Sequence, residues 1–134
     1  MNKPVASSHY LTRHPALRLP GGIERAELLH DETVDAWADW FEAAGRKRPA
    51  ALRGPVYADF NLLASAVLAG HGVALCPVEV FRREIACGDL RILSDVATLT
   101  DRHYVMIRAK PTTPAVTAFE IWFTQLCAGP RRSP

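Results

Sequence analysis

The 134-residue chain holds only three cysteines, Cys76, Cys87 and Cys127, an odd number with no CxxC pair. That excludes a disulfide-built scaffold and points to free thiols in a reducing compartment. Long apolar runs are also missing. The longest stretch falls far short of the roughly 20 residues that cross a bilayer, and no apolar secretory core follows Met1-Asn2-Lys3-Pro4. The expected setting is therefore the cytoplasm, with no membrane partner. No charge dominates: 16 Lys and Arg against 14 Asp and Glu leave a net +2, without the dense basic patch of a nucleic-acid-binding domain. The histidines 9, 14, 30, 71 and 103 show no i,i+4 or HxH spacing, so no metal and no cofactor is expected.

Catalytic signatures are scarce as well. There is no Gly-x-Ser-x-Gly elbow and no conspicuous carboxylate pair. Gly70-His71-Gly72 closes a helix instead of opening one, and Ser65 lies within an apolar helix. No catalytic residue is assigned, and the chain is not read as an enzyme. What is present is ordinary for a single globular domain: 49% apolar and 22% charged residues.

The apolar pattern alternates strand-like and helix-like segments. Lys3 to Ser7 reads as a strand running into a Ser7-Ser8 helix cap, followed by a loop-rich stretch broken by Pro15, Pro20, Gly21 and Gly22. Leu28-Leu29-His30 reads as a short buried strand, and Asp31-Glu32-Thr33 offers caps to a helix bearing Val34, Trp37, Trp40 and Phe41. Gly45 ends that helix, and Arg46-Lys47-Arg48-Pro49 is a solvated basic loop. Asp59 is placed to cap a helix through Leu62–Ala69 that is apolar on all sides and therefore expected to be buried. Val73–Cys76 is an apolar strand. Pro77 closes it and is expected to open a helix with a Val78, Phe81, Ile85 stripe and a Glu79–Arg83 pair. Leu90–Leu93 and Tyr104–Ile107 read as strands. Thr113-Pro114 caps a last helix, striped by Val116, Phe119, Phe123 and Leu126 with Trp122 alongside, and ended by Gly129-Pro130 ahead of a frayed Arg131–Pro134 tail. Both aromatic groups are expected in the core, the second of them in part uncovered. The order implies an α/β domain with a largely parallel sheet.

From Leu52 to Leu93 the sequence resembles a known family. "RGPVYADFNLLASAVLAGHGVALCP" is similar to the second-lobe signature of LysR-type transcriptional regulators. "LLHDETVDAWADWFEAAG" resembles the segment before it in the glycine-cleavage-activator-like subgroup, and "KPVASSHYL", "GDLRIL" and "HYVMIRAKPTTPAVTAFEIWFTQL" resemble the flanking strands and the final helix. The resemblance implies a periplasmic-binding-protein-like (type II) fragment: one Rossmann-like lobe, lobe two, over 1–100, plus the returning strand and helix of lobe one over 101–134. The family's winged helix-turn-helix, its linker helix and the first half of lobe one have no counterpart in these residues. The resemblance therefore implies a truncated regulator that meets DNA only through a missing N-terminal domain. It also implies a homodimer and a small anionic effector, an amino acid or small organic acid, that closes the lobes to control transcription.

General physics places a ligand beyond the carboxyl ends of the strands, at helix N-termini. Three places qualify: Ala58-Asp59-Phe60-Asn61, where free N–H groups and the Asn61 amide could hold a carboxylate; Cys76-Pro77-Val78 after the Val73 strand; and His30-Asp31-Glu32 after the Leu28 strand. Each has a plainer role beside it. Asp59 also serves as a cap, Cys76 as a packed thiol, and His30 as a cap or surface residue. Two other functions stay open: a small α/β enzyme, and a dimerisation remnant that binds no ligand.

Overall fold

The computed structural model describes residues 1–102 and 105–128. It divides into two compact units, Met1–Arg102 and the segment from His103 onward.

In the first unit the strands are β1 (Asn2–Ser7), β2 (Leu28–Asp31), β3 (Val56–Tyr57), β4 (Val73–Pro77) and β5 (Leu90–Ile92), in the order β3-β2-β4-β1-β5. β2 pairs in parallel with β3 and β4, whereas β1 is antiparallel to both β4 and β5. Four strands therefore share one direction and β1 alone is reversed. The expectation of a parallel sheet holds for direction but misses β1, whose reversal leaves half of the strand pairings antiparallel. Its buried apolar residues Pro4, Val5 and Ala6 fall on both faces whichever way it runs, so composition carries no sign of direction.

The alternation along each strand sorts the core into two layers. Val73 and Leu75 of β4, Leu28 of β2 and Ala6 of β1 face one cluster, completed by Tyr10, Leu11, Leu17, Ile23, Trp37, Trp40 and Phe41. Ala74 and Cys76, Leu29, and Val5 face the other, completed by Leu63, Ala66, Val67, Phe81 and Leu90. The first layer is built by α1 (Ser8–Arg13), two 3-10 turns at Pro15–Arg18 and Ile23–Arg25, and α2 (Asp35–Ala43). The stretch from Pro15 expected to be loop therefore contains two tight turns. Ser7 caps α1 as expected, its side chain accepting the Tyr10 N–H. Trp37, Trp40 and Phe41 pack at centroid distances of 5.2 to 5.9 Å. The two indoles donate to the Leu29 and Val96 carbonyls, so neither N–H is buried unpaired. At the start of α2, Thr33 Oγ1 accepts the Asp35 N–H.

The second layer is built by α3 (Phe60–Leu68) and α4 (Arg82–Cys87). α3 is not buried all round: Leu63, Ala66 and Val67 are covered, while Leu62, Ser65 and Leu68 form an exposed face. A nine-residue helix on one side of a sheet has only one side to cover, whatever its composition. α4 does not begin at Pro77. That residue is the last of β4, paired with Asn2, and a turn closed by Val80 N–H to the Pro77 carbonyl (3.0 Å) intervenes. Glu79 thus lies outside the helix, and its ion pair is with Arg82, not Arg83. Gly88 at φ +90° ends α4.

In the second unit the helix α5 (Pro114–Ala128) is capped by Thr113, whose Oγ1 accepts the Val116 N–H. Val105 to Ile107, expected as a strand, make no ladder among the described residues, and Val105 and Ile107 are 77% and 89% exposed. Tyr104 of that strand, the Gly129-Pro130 stop and the Arg131–Pro134 tail lie outside the described residues. Phe119, Trp122 and Phe123 are correctly placed on one stripe but are 53%, 55% and 40% exposed, not core. They stack on one another, with Phe119 and Phe123 5.8 Å apart and nearly parallel.

Candidate functional site

β2, β3 and β4 run the same way and end together. The register sets His30 beside Val56 and Asp31 beside Tyr57, and carrying the Leu29–Ala74 pairing two residues further brings Asp31 alongside Cys76. Asp31, Tyr57 and Cys76 share the face of the second core cluster, and α3 starts just beyond Tyr57. Asp31, Tyr57, Asp59, Asn61 and Pro77 therefore line one edge, where the strands stop and the helix begins. The backbone there is held in an uncommon conformation. Glu32, directly after Asp31, has φ +58°, and its N–H donates to the Tyr57 carbonyl at 2.9 Å.

The edge is acidic. Burial first, then the charges of Glu32 and Asp59, hold the Asp31 carboxyl above its usual range. Asp59 uses its side chain as the α3 cap, accepting from Asn61 N–H at 2.7 Å and from Leu62 N–H at 3.4 Å. The Asp59 carbonyl takes the Leu62 and Leu63 N–H groups as well. The Asn61, Leu62 and Leu63 N–H groups at this helix end are thus already paired with Asp59, which itself places an anion there. What Asn61 offers a ligand is its exposed side-chain amide.

The other predicted residues divide. Phe60 is half-buried against Phe81, 5.8 Å between ring centres, so it is wall more than contact. Cys76 is fully buried, and burial followed by the Asp31 charge pushes its thiol up to about 12. It packs beneath the edge as a neutral group. His30 is 1% exposed and belongs with Leu28 on the opposite face of β2. Its Nε2 lies 3.5 Å from the Arg53 carbonyl, and its Nδ1 is buried without a partner among the described residues. The structure does not bring His30 together with Asp31 and Asp59. Reading along the sequence missed Tyr57, while Glu32 was named with His30 and Asp31. The signal for Tyr57 was its place two residues before a capping Asp.

A mixed sheet between two helical layers, with polar side chains gathered where its parallel strands end, is the build of an α/β ligand-binding lobe. Comparison with known proteins agrees. The LysR substrate binding domain model matches residues 4–128. The HTH-type transcriptional activator AmpR of Citrobacter koseri is 32% identical over 110 residues, 82% of this chain and 38% of that protein. The glycine cleavage system transcriptional activator of Escherichia coli is 26% identical over 121 residues, 89% of this chain and 40% of that protein. Among solved structures, the effector domain of AmpR from Pseudomonas aeruginosa superposes with a TM-score of 0.68 at 26% identity, covering 95% of this chain and 61% of that one. The AmpR effector binding domain from Citrobacter freundii gives 0.71 at 21% identity, which speaks for the fold alone. The chain belongs to the LysR substrate-binding domain family, whose members have a periplasmic-binding-protein-like type II fold. It spans about two-fifths of the length of these curated relatives, which are transcriptional regulators and not enzymes.

Proposed function

We propose that this chain is the effector-sensing part of a LysR-type transcriptional regulator, working in the cytoplasm, with lobe two over 1–100 and the returning segment of lobe one over 101–134. The effector is an amino acid. The observation that carries this choice is the pairing state at the α3 end. With the Asn61, Leu62 and Leu63 N–H groups taken by Asp59 and with Asp31 nearby, the edge has carboxylates to receive an ammonium group. The Asn61 amide remains for the ligand carboxylate. A ligand with negative charge only would meet Asp31 and Asp59 unpaired and be repelled. DNA is contacted in this reading through a helix-turn-helix segment that these residues do not include, and the working unit is a homodimer. The subgroup is one that holds both AmpR-like and glycine-cleavage-activator-like regulators, supported by relatives of both kinds.

The test is a thermal melt of the purified chain with amino acids and, in parallel, their deaminated carboxylic acids. Binding to the folded state alone raises the midpoint with ligand concentration. The proposal expects at least one amino acid to raise it and the matching acid not to. A rise with the acids and none with the amino acids would overturn it.

A further inference from the structure

We infer a second, separate ligand site on the first unit, built for a small organic carboxylate with an apolar body. A cavity of about 730 Å³ opens between α1, the two 3-10 turns and β5, and none of Asp31, Tyr57, Asp59, Asn61 or Pro77 lines it. That volume is of the size that takes small molecules. Its lining includes Arg18, Arg46 and Arg91 and not one carboxylate. Among its lining residues Leu19 and Ile92 are 61% and 39% exposed and supply the apolar surface, while Leu11, Leu17 and Ile23 of the first core cluster are buried beneath.

The three guanidinium groups are not equivalent. Arg46 is fixed: it pairs with Glu24 at 2.8 Å and lies 5.8 Å from the centre of the Trp40 ring. It forms a rigid, charge-compensated wall. Arg18 and Arg91 have no ion-pair partner among the described residues. Arg91 reaches back over the end of α4, with Nη2 3.1 Å from where a side chain on Gly88 would begin. Gly88 therefore leaves the room that this arginine occupies. Two guanidinium groups without an ion-pair partner, in one cavity with exposed Leu19 and Ile92, fit a carboxylate head with a hydrocarbon body lying on those two side chains. Guanidinium binds carboxylate through paired N–H donors, and the exposed apolar side chains gain from covering. A bare inorganic anion satisfies the arginines only.

The experiment is an amide chemical-shift titration of the full chain with hexanoate, hexanamide and inorganic phosphate. Hexanoate is expected to saturate with a dissociation constant on the order of 1 mM or tighter, moving amides at residues 17–19 and 91–93. Hexanamide, lacking the charge, and phosphate, lacking the hydrocarbon, are each expected to bind at least about tenfold more weakly. Arg18→Gln and Arg91→Gln are surface changes outside the core clusters, and each is expected to weaken hexanoate about tenfold. Phosphate binding as well as hexanoate would overturn the assignment of an apolar body. Shifts confined to residues 31, 57–61 and 77 would place hexanoate at the strand-end site and overturn the second site. Unchanged affinity in both variants would do the same.

Discussion

Asp59 combines two roles in one side chain, and substitution separates them. Asn caps a helix about as well as Asp, whereas Ala removes the acceptor. Asp59→Ala is expected to lose about 1 kcal/mol of stability in urea unfolding, and Asp59→Asn very little. Both are expected to weaken the amino-acid effector, because both remove the negative charge. Asp31 gives a pH signature. Its folded-state carboxyl is raised above the ordinary 3.8, so the folded chain binds more protons than the unfolded one in that window and stability falls as pH rises through it. Asp31→Asn is therefore expected to raise the melting midpoint at pH 7, with the gain gone below about pH 3, where both forms are neutral. Of the thiols, Cys87 and Cys127 are exposed and Cys76 is buried and held neutral. A thiol reagent is expected to label two cysteines in the native chain and the third only on unfolding. At this scale the sequence showed Asp59 as a cap because a local hydrogen bond suffices for that role. It did not show that the cap uses up the anion site, which needs the donor geometry. Nor did it show that His30 faces away from Asp31. Alternation along β2 puts them on opposite faces, yet their adjacency in sequence made them look like one group.

Elements were legible where a short-range pattern decides them. β1, β2, β4 and α2 follow from apolar runs and stripes, and α3 follows from Asp59 at one end and Gly70 at the other. What failed depended on neighbours. Pro77 suits a helix start, but the ladder from Asn2 claims it for β4. Val105–Ile107 has strand composition but no partner strand among the described residues, and unpaired backbone has no reason to extend as a ladder. β3 is only two residues long, and its position rests on a close approach no pattern reveals. Gly54 has φ +145°, and a Cβ there would fall 1.8 Å from the Leu28 carbonyl oxygen. Gly54→Ala is expected to cost on the order of 1–3 kcal/mol and to disturb the β2–β3 pairing that positions Tyr57 beside Asp31. Hydrogen exchange at His30 and Glu32, whose N–H groups bond to Pro55 and Tyr57, reads that loss directly.

For the whole molecule, the telling feature is the contrast between the two units. The first has two closed core layers. The second carries a 15-residue helix with Phe119, Ile121, Trp122 and Leu126 more than half exposed. Exposed apolar area of this kind marks an interaction surface. Sedimentation is expected to show concentration-dependent self-association that Phe119→Glu with Trp122→Glu reduces, while the first unit's melt is unchanged. The fold class was legible from the alternation of elements and from the ordered run of family-like segments. Exposure of part of the α5 stripe followed only from the family resemblance, whose lobe-one partners have no counterpart in these residues, because a stripe at helical spacing looks the same whether or not anything covers it.

The central claim is that an effector is held where β2, β3 and β4 end. The most direct test is a map of amide shifts as the amino acid that most raises the melting midpoint is added. Saturable shifts at residues 31–32, 57–61 and 77–78, abolished in Asp31→Asn and weakened in Asn61→Ala, are the predicted result. Saturable shifts elsewhere in the first unit, with this edge silent, would contradict it.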